Sequence, residues 1–198
     1  MKSKGIGIFE RVFSSRVSLI ISFLWGFAEA TLFFIIPDVF LGAVALFSPM
    51  CGILCCIMSI LGAMLGGGLM YLLSCRIPQT MLALLTKVPG ITDSMITQVG
   101  INYKMYGLKS IFLAPWAGVP YKIYAVQAGI HGIDRTAFIL ATIPARLERF
   151  ILVIVVMMFL GYRFRRSVLR RPGYWMTAYA VFWIACYVAY AIYLNGRT

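Results

Sequence analysis

The sequence predicts an all-α, polytopic membrane fold: two opposed re-entrant helical hairpins, about three spanning helices and amphipathic helices at the surface. Three observations lead there. The chain is 62% hydrophobic and 12% charged, with a mean hydropathy of +0.90, well beyond a soluble domain of its length. Prolines and glycines interrupt two apolar runs, at Pro37 and at Pro115, Gly118 and Pro120, which disfavours a regular crossing helix at either place. Charges are sparse inside the apolar runs, where Glu29, Asp38, Lys122, Arg146, Glu148 and Arg149 stand, while most basic residues flank them.

Residues 1–16 form the first unit, where Lys2, Lys4, Arg11 and Arg16 alternate with Ile6, Ile8, Phe9, Val12 and Phe13. That pattern suits an amphipathic helix on the cytoplasmic membrane surface. A secretory signal peptide fits poorly, because Val17 to Ile36 is long for a signal's apolar region, holds Glu29 and runs into Pro37-Asp38. Residues 17–162 form the membrane core. Two readings of its start compete: Val17 to Ile36 crosses the bilayer, or Val17 to Phe47 enters and returns as a hairpin turning at Pro37-Asp38. The second is preferred, since a proline and an acid stand where a turn is needed.

Met50 to Ser74 is long enough to span, and Gly62 and Gly66 give it a G-x-x-x-G face for close helix approach. Arg76 to Tyr106 is the most polar part and reads as a linker with interfacial helices, Thr92 or Asp93 capping the helix through Met95, Ile96 and Val99. Phe112 to Gly129 is the second broken segment, with Lys122 inside it. Its core weakly echoes the first, as inverted-repeat transporters do. Helix resumes over Arg135 to Tyr162. Arg146 and Arg149, three residues apart, share a face, and Glu148 points elsewhere. If Pro144 starts that helix, these charges snorkel at an interface; otherwise they neutralise Glu29 and Asp38 or receive an anionic head group.

Residues 163–198 hold the basic cytoplasmic loop RFRRSVLRR, Arg163 to Arg171, and a final span, Tyr174 to Leu194, with Trp175, Tyr179, Tyr187 and Tyr193 as interfacial aromatics. The net charge of +12 is spread along the borders of apolar runs, which indicates anionic lipid rather than nucleic acid. Five cysteines without a nearby histidine cluster suggest neither a metal site nor a disulfide framework, and no cofactor motif occurs.

At Glu29, Pro37-Asp38, Gly62 to Gly68 and Gly118-Val119-Pro120-Tyr121-Lys122 through Gly129, the chain resembles the DedA/VTT (SNARE-associated Golgi protein-like) membrane family over roughly Ser22 to Phe159. The resemblance implies opposed re-entrant helices in the plasma (inner) membrane and movement of phospholipid or lipid-linked phosphate between leaflets, in some members proton-coupled. It also implies Glu29 and Asp38 as the acidic pair, and Pro115, Gly118 and Lys122 in the second motif. Ala114 stands where the family often has arginine, and Lys122 only approximates the place of a second one, so Arg146 and Arg149 are candidates for the missing charge. Lysine supplies a point charge rather than a bidentate fork.

A transporter or scramblase without enzymatic activity is therefore the leading expectation. A noncatalytic scaffold or assembly factor, and homo-oligomers, stay open. An intramembrane lipid enzyme ranks below both, because His131 is the sole histidine and no H-E-x-x-H or G-x-S-x-G pattern occurs.

Overall fold

A computed structural model describes residues 15–195, less the side chains of residues 115, 116 and 193–195. The expected amphipathic segment, residues 1–16, falls outside the described residues except for its last two. All regular structure among the described residues is helical.

Helix α1 (Arg16–Thr31) buries small residues, Ser18, Ser22, Gly26 and Ala30, together with Glu29, and turns Val17, Ile20 and Leu24 outward. Helix α3 (Pro49–Arg76) is its main partner. A Cβ on Gly62 would meet the backbone of Phe23 and Phe27, and one on Gly66 the backbone of Phe27 and the methyl of Ala30. The G-x-x-x-G face is thus filled by α1, which brings the two helices together backbone to backbone. The outward side of α3 carries Ile53, Ile57, Leu61, Leu65, Leu69 and Leu72, one apolar stripe at helical spacing.

Between α1 and α3 the chain breaks at residues 32–37 and resumes as α2 (Asp38–Phe47), almost wholly buried. Pro49 sits in the first turn of α3, where its missing N–H costs nothing. The linker forms α4 (Pro78–Leu85) and α5 (Asp93–Tyr106). Thr92 caps α5, its hydroxyl accepting from Met95 N–H at 3.3 Å, while Asp93 occupies the first turn.

The second break follows a 3-10 stretch (Gly107–Leu113) and the short α6 (Ala114–Ala117), which stops at Gly118 in the left-handed conformation, φ 64°. No neighbour crowds Gly118, so backbone conformation alone asks for glycine there. Helix α7 (Tyr121–Ile130) is buried at every position from Tyr121 to Gly129, against Gly67, Tyr71 and Ser74 of α3.

Helix α8 (Arg135–Arg163) begins with Asp134 as its cap and runs straight through Pro144. Pro144 therefore does not start the helix, and the interfacial alternative for Arg146 fails: this residue lies mid-helix and buried. The basic loop contains a short helix, α9 (Arg165–Arg170), before the final α10 (Pro172–Asn195).

Helices α3 and α10 are long and apolar enough to cross a membrane. Two apolar cores result. One joins α3, α4, α5 and α7 to the start of α8; the other joins α2, the first half of α3 and the second half of α8. On α8, Ala145 belongs to the first and Phe150 to the second, so Arg146 and Arg149 fall at their junction.

Candidate functional site

Breaking a helix inside an apolar body frees backbone groups that need partners. Around residues 32–37 side chains supply them. Phe33 C=O accepts from Lys122 Nζ at 2.9 Å, Ile35 C=O from Trp25 Nε1 at 3.0 Å, and Ile36 N–H donates to the Tyr187 hydroxyl at 3.1 Å. Lys122, only 2% exposed, thereby ties the second broken segment to the first.

Two ion pairs form among the described residues. Arg146 Nη2 donates to Glu29 Oε2, joining α8 to α1, and both side chains are buried. The Arg146 guanidinium also lies over the Tyr121 ring, 4.3 Å from its centroid. Tyr121 in turn shares a 2.7 Å hydrogen bond with Thr142, which fixes the ring. The second pair is Arg149 Nη2 to Asp38 Oδ2 at 2.8 Å, a charge contact without hydrogen-bond alignment. Asp38 stands in the first turn of α2, where a negative charge suits the helix dipole.

The breaks meet at a cavity of about 430 Å³. Glu29, Lys122 and Arg149 provide its charge. Phe34 and Ile36 of the first break, Gly118, Val119 and Pro120 of the second, the Val88-Pro89-Gly90 turn, and Trp183, Tyr187 and Tyr190 of α10 provide its largely apolar walls. A second, far smaller hollow lies against Arg146 and Arg149 on the Tyr121 side.

No protein-family model matches this chain, and no curated protein or solved structure matches it either. The functional reading accordingly rests on the cavity and its charges.

Of the residues singled out in the sequence, Glu29, Gly118, Lys122 and Arg149 share the cavity. Asp38 does not line it and acts on it only by holding Arg149. Arg146 stands behind it, paired with Glu29 and facing the small hollow. Pro115 belongs to α6, and its side chain lies outside the described residues. His131 sits at the end of α7 beside the Tyr103 ring and does not line the cavity.

With all five ionised, Lys122, Arg146 and Arg149 outnumber Glu29 and Asp38 by one positive charge. Arg149 Nε has no hydrogen-bond partner. With that ionisation the site offers N–H donors and one surplus positive charge inside largely apolar walls. Sequence reasoning missed Trp25, Trp183 and Tyr190, and read Tyr179 and Tyr187 as interfacial anchors. The available signal was the spacing of the α10 aromatics, which places Tyr179, Trp183, Tyr187 and Tyr190 on one helix face.

Proposed function

We propose that this chain is an integral membrane protein that moves phospholipid or lipid-linked phosphate between leaflets, the activity its DedA/VTT resemblance implies. The observation carrying this reading is the cavity where the two breaks meet, with Lys122 and Arg149 set in apolar walls. Helix lengths support the re-entrant geometry. Helices α2 and α7 have ten residues each, so either reaches about 15 Å, half of a hydrocarbon core of about 30 Å. Helices α3, α8 and α10 are the crossing elements, and the large apolar residues on their outward faces contact lipid.

In this mechanism the phosphate enters the cavity while its acyl or prenyl chains stay in the bilayer. Lys122 Nζ exchanges the Phe33 carbonyl for a phosphate oxygen, and Arg149 adds its unpartnered Nε. Glu29 holds Arg146 and keeps the surplus positive charge small, so the head group is released again. Purified protein in vesicles carrying a trace of fluorescent phosphatidylglycerol tests this by chemical quenching of the outer leaflet. Exchange should accelerate over empty vesicles. Lys122→Met, which loses a charged hydrogen bond of about 1.5–3 kcal/mol, should slow it roughly tenfold to hundredfold while the protein still elutes as a folded species. No acceleration with anionic, zwitterionic or prenyl-phosphate lipids would discard the reading.

A further inference from the structure

Helix α10 meets the rest of the protein differently from every other long helix. Its half-buried residues are Pro172, Trp175, Met176, Tyr179, Trp183, Tyr187 and Tyr190, three or four apart except for the adjacent Trp175 and Met176, and its other described side chains are exposed. One stripe therefore makes all its contacts with the body. Where α1 and α3 lock through glycines, this stripe attaches through three phenol groups to backbone at the breaks. The Tyr187 oxygen accepts from Ile36 N–H at 3.1 Å. Tyr179 donates to Asp38 C=O at 3.1 Å and Val39 C=O at 3.0 Å, and Tyr190 donates to Gly90 C=O at 3.4 Å and Gly118 C=O at 3.3 Å. Gly42 makes room for the first of these donors, since a Cβ there would strike the Tyr179 hydroxyl.

Trp183, Tyr187 and Tyr190 of this stripe, with the exposed Cys186 and Ala191 beside them, form a wall of the cavity. On its far side Val181, Phe182, Ile184, Val188 and Ile192 are exposed, a surface suited to acyl chains. Removing this wall opens the cavity further to the bilayer along Trp183 to Ala191. A lipid needs that opening, because its head group must reach Lys122 and Arg149 while its chains remain outside.

We propose that α10 is the lateral door of the cavity, and that Tyr179, Tyr187 and Tyr190 are its latch. The door's role in lipid movement rests on the function proposed above; the latch itself does not. When the helix swings away, Ile36 N–H turns from the Tyr187 oxygen to a phosphate oxygen, and Trp183 Nε1, on the cavity wall, is a second donor at the threshold. A phosphate oxygen replaces only the Tyr187 oxygen as acceptor; the carbonyls of Asp38, Val39, Gly90 and Gly118, which accept from Tyr179 and Tyr190, turn to water in the opened cavity.

Two measurements on one background decide this. The five native cysteines are replaced, and Ile36→Cys with Tyr187→Cys are joined by a short bis-thiosulfonate linker. The first readout is the rate of linking in vesicles. Adding Tyr179→Phe and Tyr190→Phe should slow it at least threefold by letting the helix drift from the break, and an unchanged rate overturns the latch. Elution and melting profiles matching the parent exclude misfolding as the cause.

The second readout is leaflet exchange of fluorescent phosphatidylglycerol. Linked protein should lose at least tenfold of its exchange rate and regain it when the linker is cleaved by reductant. Equal rates in linked and unlinked protein overturn the door. If the wild-type protein exchanges no lipid, the transport reading fails by itself, and the linking rates still decide the latch.

Discussion

Replacing Arg146 with methionine should destabilise the protein strongly, through its partner Glu29. Arg146 and Glu29 are 4% and 3% exposed, so truncating the arginine leaves a carboxylate with little access to water. Removing one partner of such a pair costs about 3–5 kcal/mol, and loss of the cation over Tyr121 adds up to about 2 kcal/mol. For a chain of this size the pair alone corresponds to a melting shift of roughly 6–20 °C.

Arg149 keeps 29% of its side chain exposed, but truncating it strands the Asp38 carboxylate, 1% exposed and eased only by the dipole of α2, so Arg149→Met should cost a comparable amount, about 2–5 kcal/mol. The decisive comparison is the double variant Glu29→Gln/Arg146→Met. Neutralising residue 29 removes the desolvated charge and leaves only an unsatisfied amide, at about 1–3 kcal/mol. The double variant should therefore melt above Arg146→Met alone. Thermal unfolding in detergent, followed by a dye that reacts with the buried thiols Cys51, Cys55 and Cys56 as they emerge, reads the difference. A double variant no more stable than the single would show that Arg146 and Glu29 do not depend on each other.

Three further outcomes follow from packing and caps. Gly62→Ala should lower stability by about 1–3 kcal/mol, because the new Cβ meets the backbone of Phe23 and Phe27, whereas Gly68→Ala, 3.7 Å from the flexible end of Ile139, should be neutral or stabilising. Parallel melting curves check the pair. Thr92→Ala should cost about 1 kcal/mol and speed amide exchange in the first turn of α5 only, read by hydrogen-exchange mass spectrometry. Tyr71→Phe removes a 2.6 Å hydrogen bond to Ile133 C=O and should lower the melting temperature by roughly 2–4 °C through loosened docking of the loop before α8.

The breaks at Pro37 and Gly118-Pro120, the Thr92 cap and the shared face of Arg146 and Arg149 were legible because each follows from local chemistry: a missing N–H, a left-handed turn, a side chain within reach of its own helix. Partner choice was not local. Nothing near Gly62 says that α1 rather than another copy fills its groove, and nothing near Arg146 selects Glu29, 117 positions away, over Asp38. Those pairings depend on the rotation of α8 about its axis. That rotation is set by the two apolar cores on either side of the charges, not by the charges themselves. Pro144 left two readings open for a related reason: proline favours the first turn of a helix, and nothing local says that the chain N-terminal to it is already helical from Arg135.

The final helix shows how burial reverses the reading of a side chain. Tyrosine in a last apolar span suggests an interfacial anchor whose hydroxyl reaches water. Here the hydroxyls of Tyr179, Tyr187 and Tyr190 instead satisfy backbone groups, five of them among residues 36–39, Gly90 and Gly118. Breaking two helices to build a charged cavity leaves more free carbonyls and N–H groups than Lys122 and Trp25 can satisfy from within. A helix with an apolar exterior and a stripe of phenols meets that demand without adding charge. Tyr187 serves as a neutral acceptor for Ile36 N–H, while Tyr179 and Tyr190 serve as donors to four carbonyls. The α10 sequence thus belongs to the site's chemistry as much as Lys122 does, although it carries no charge along its whole length.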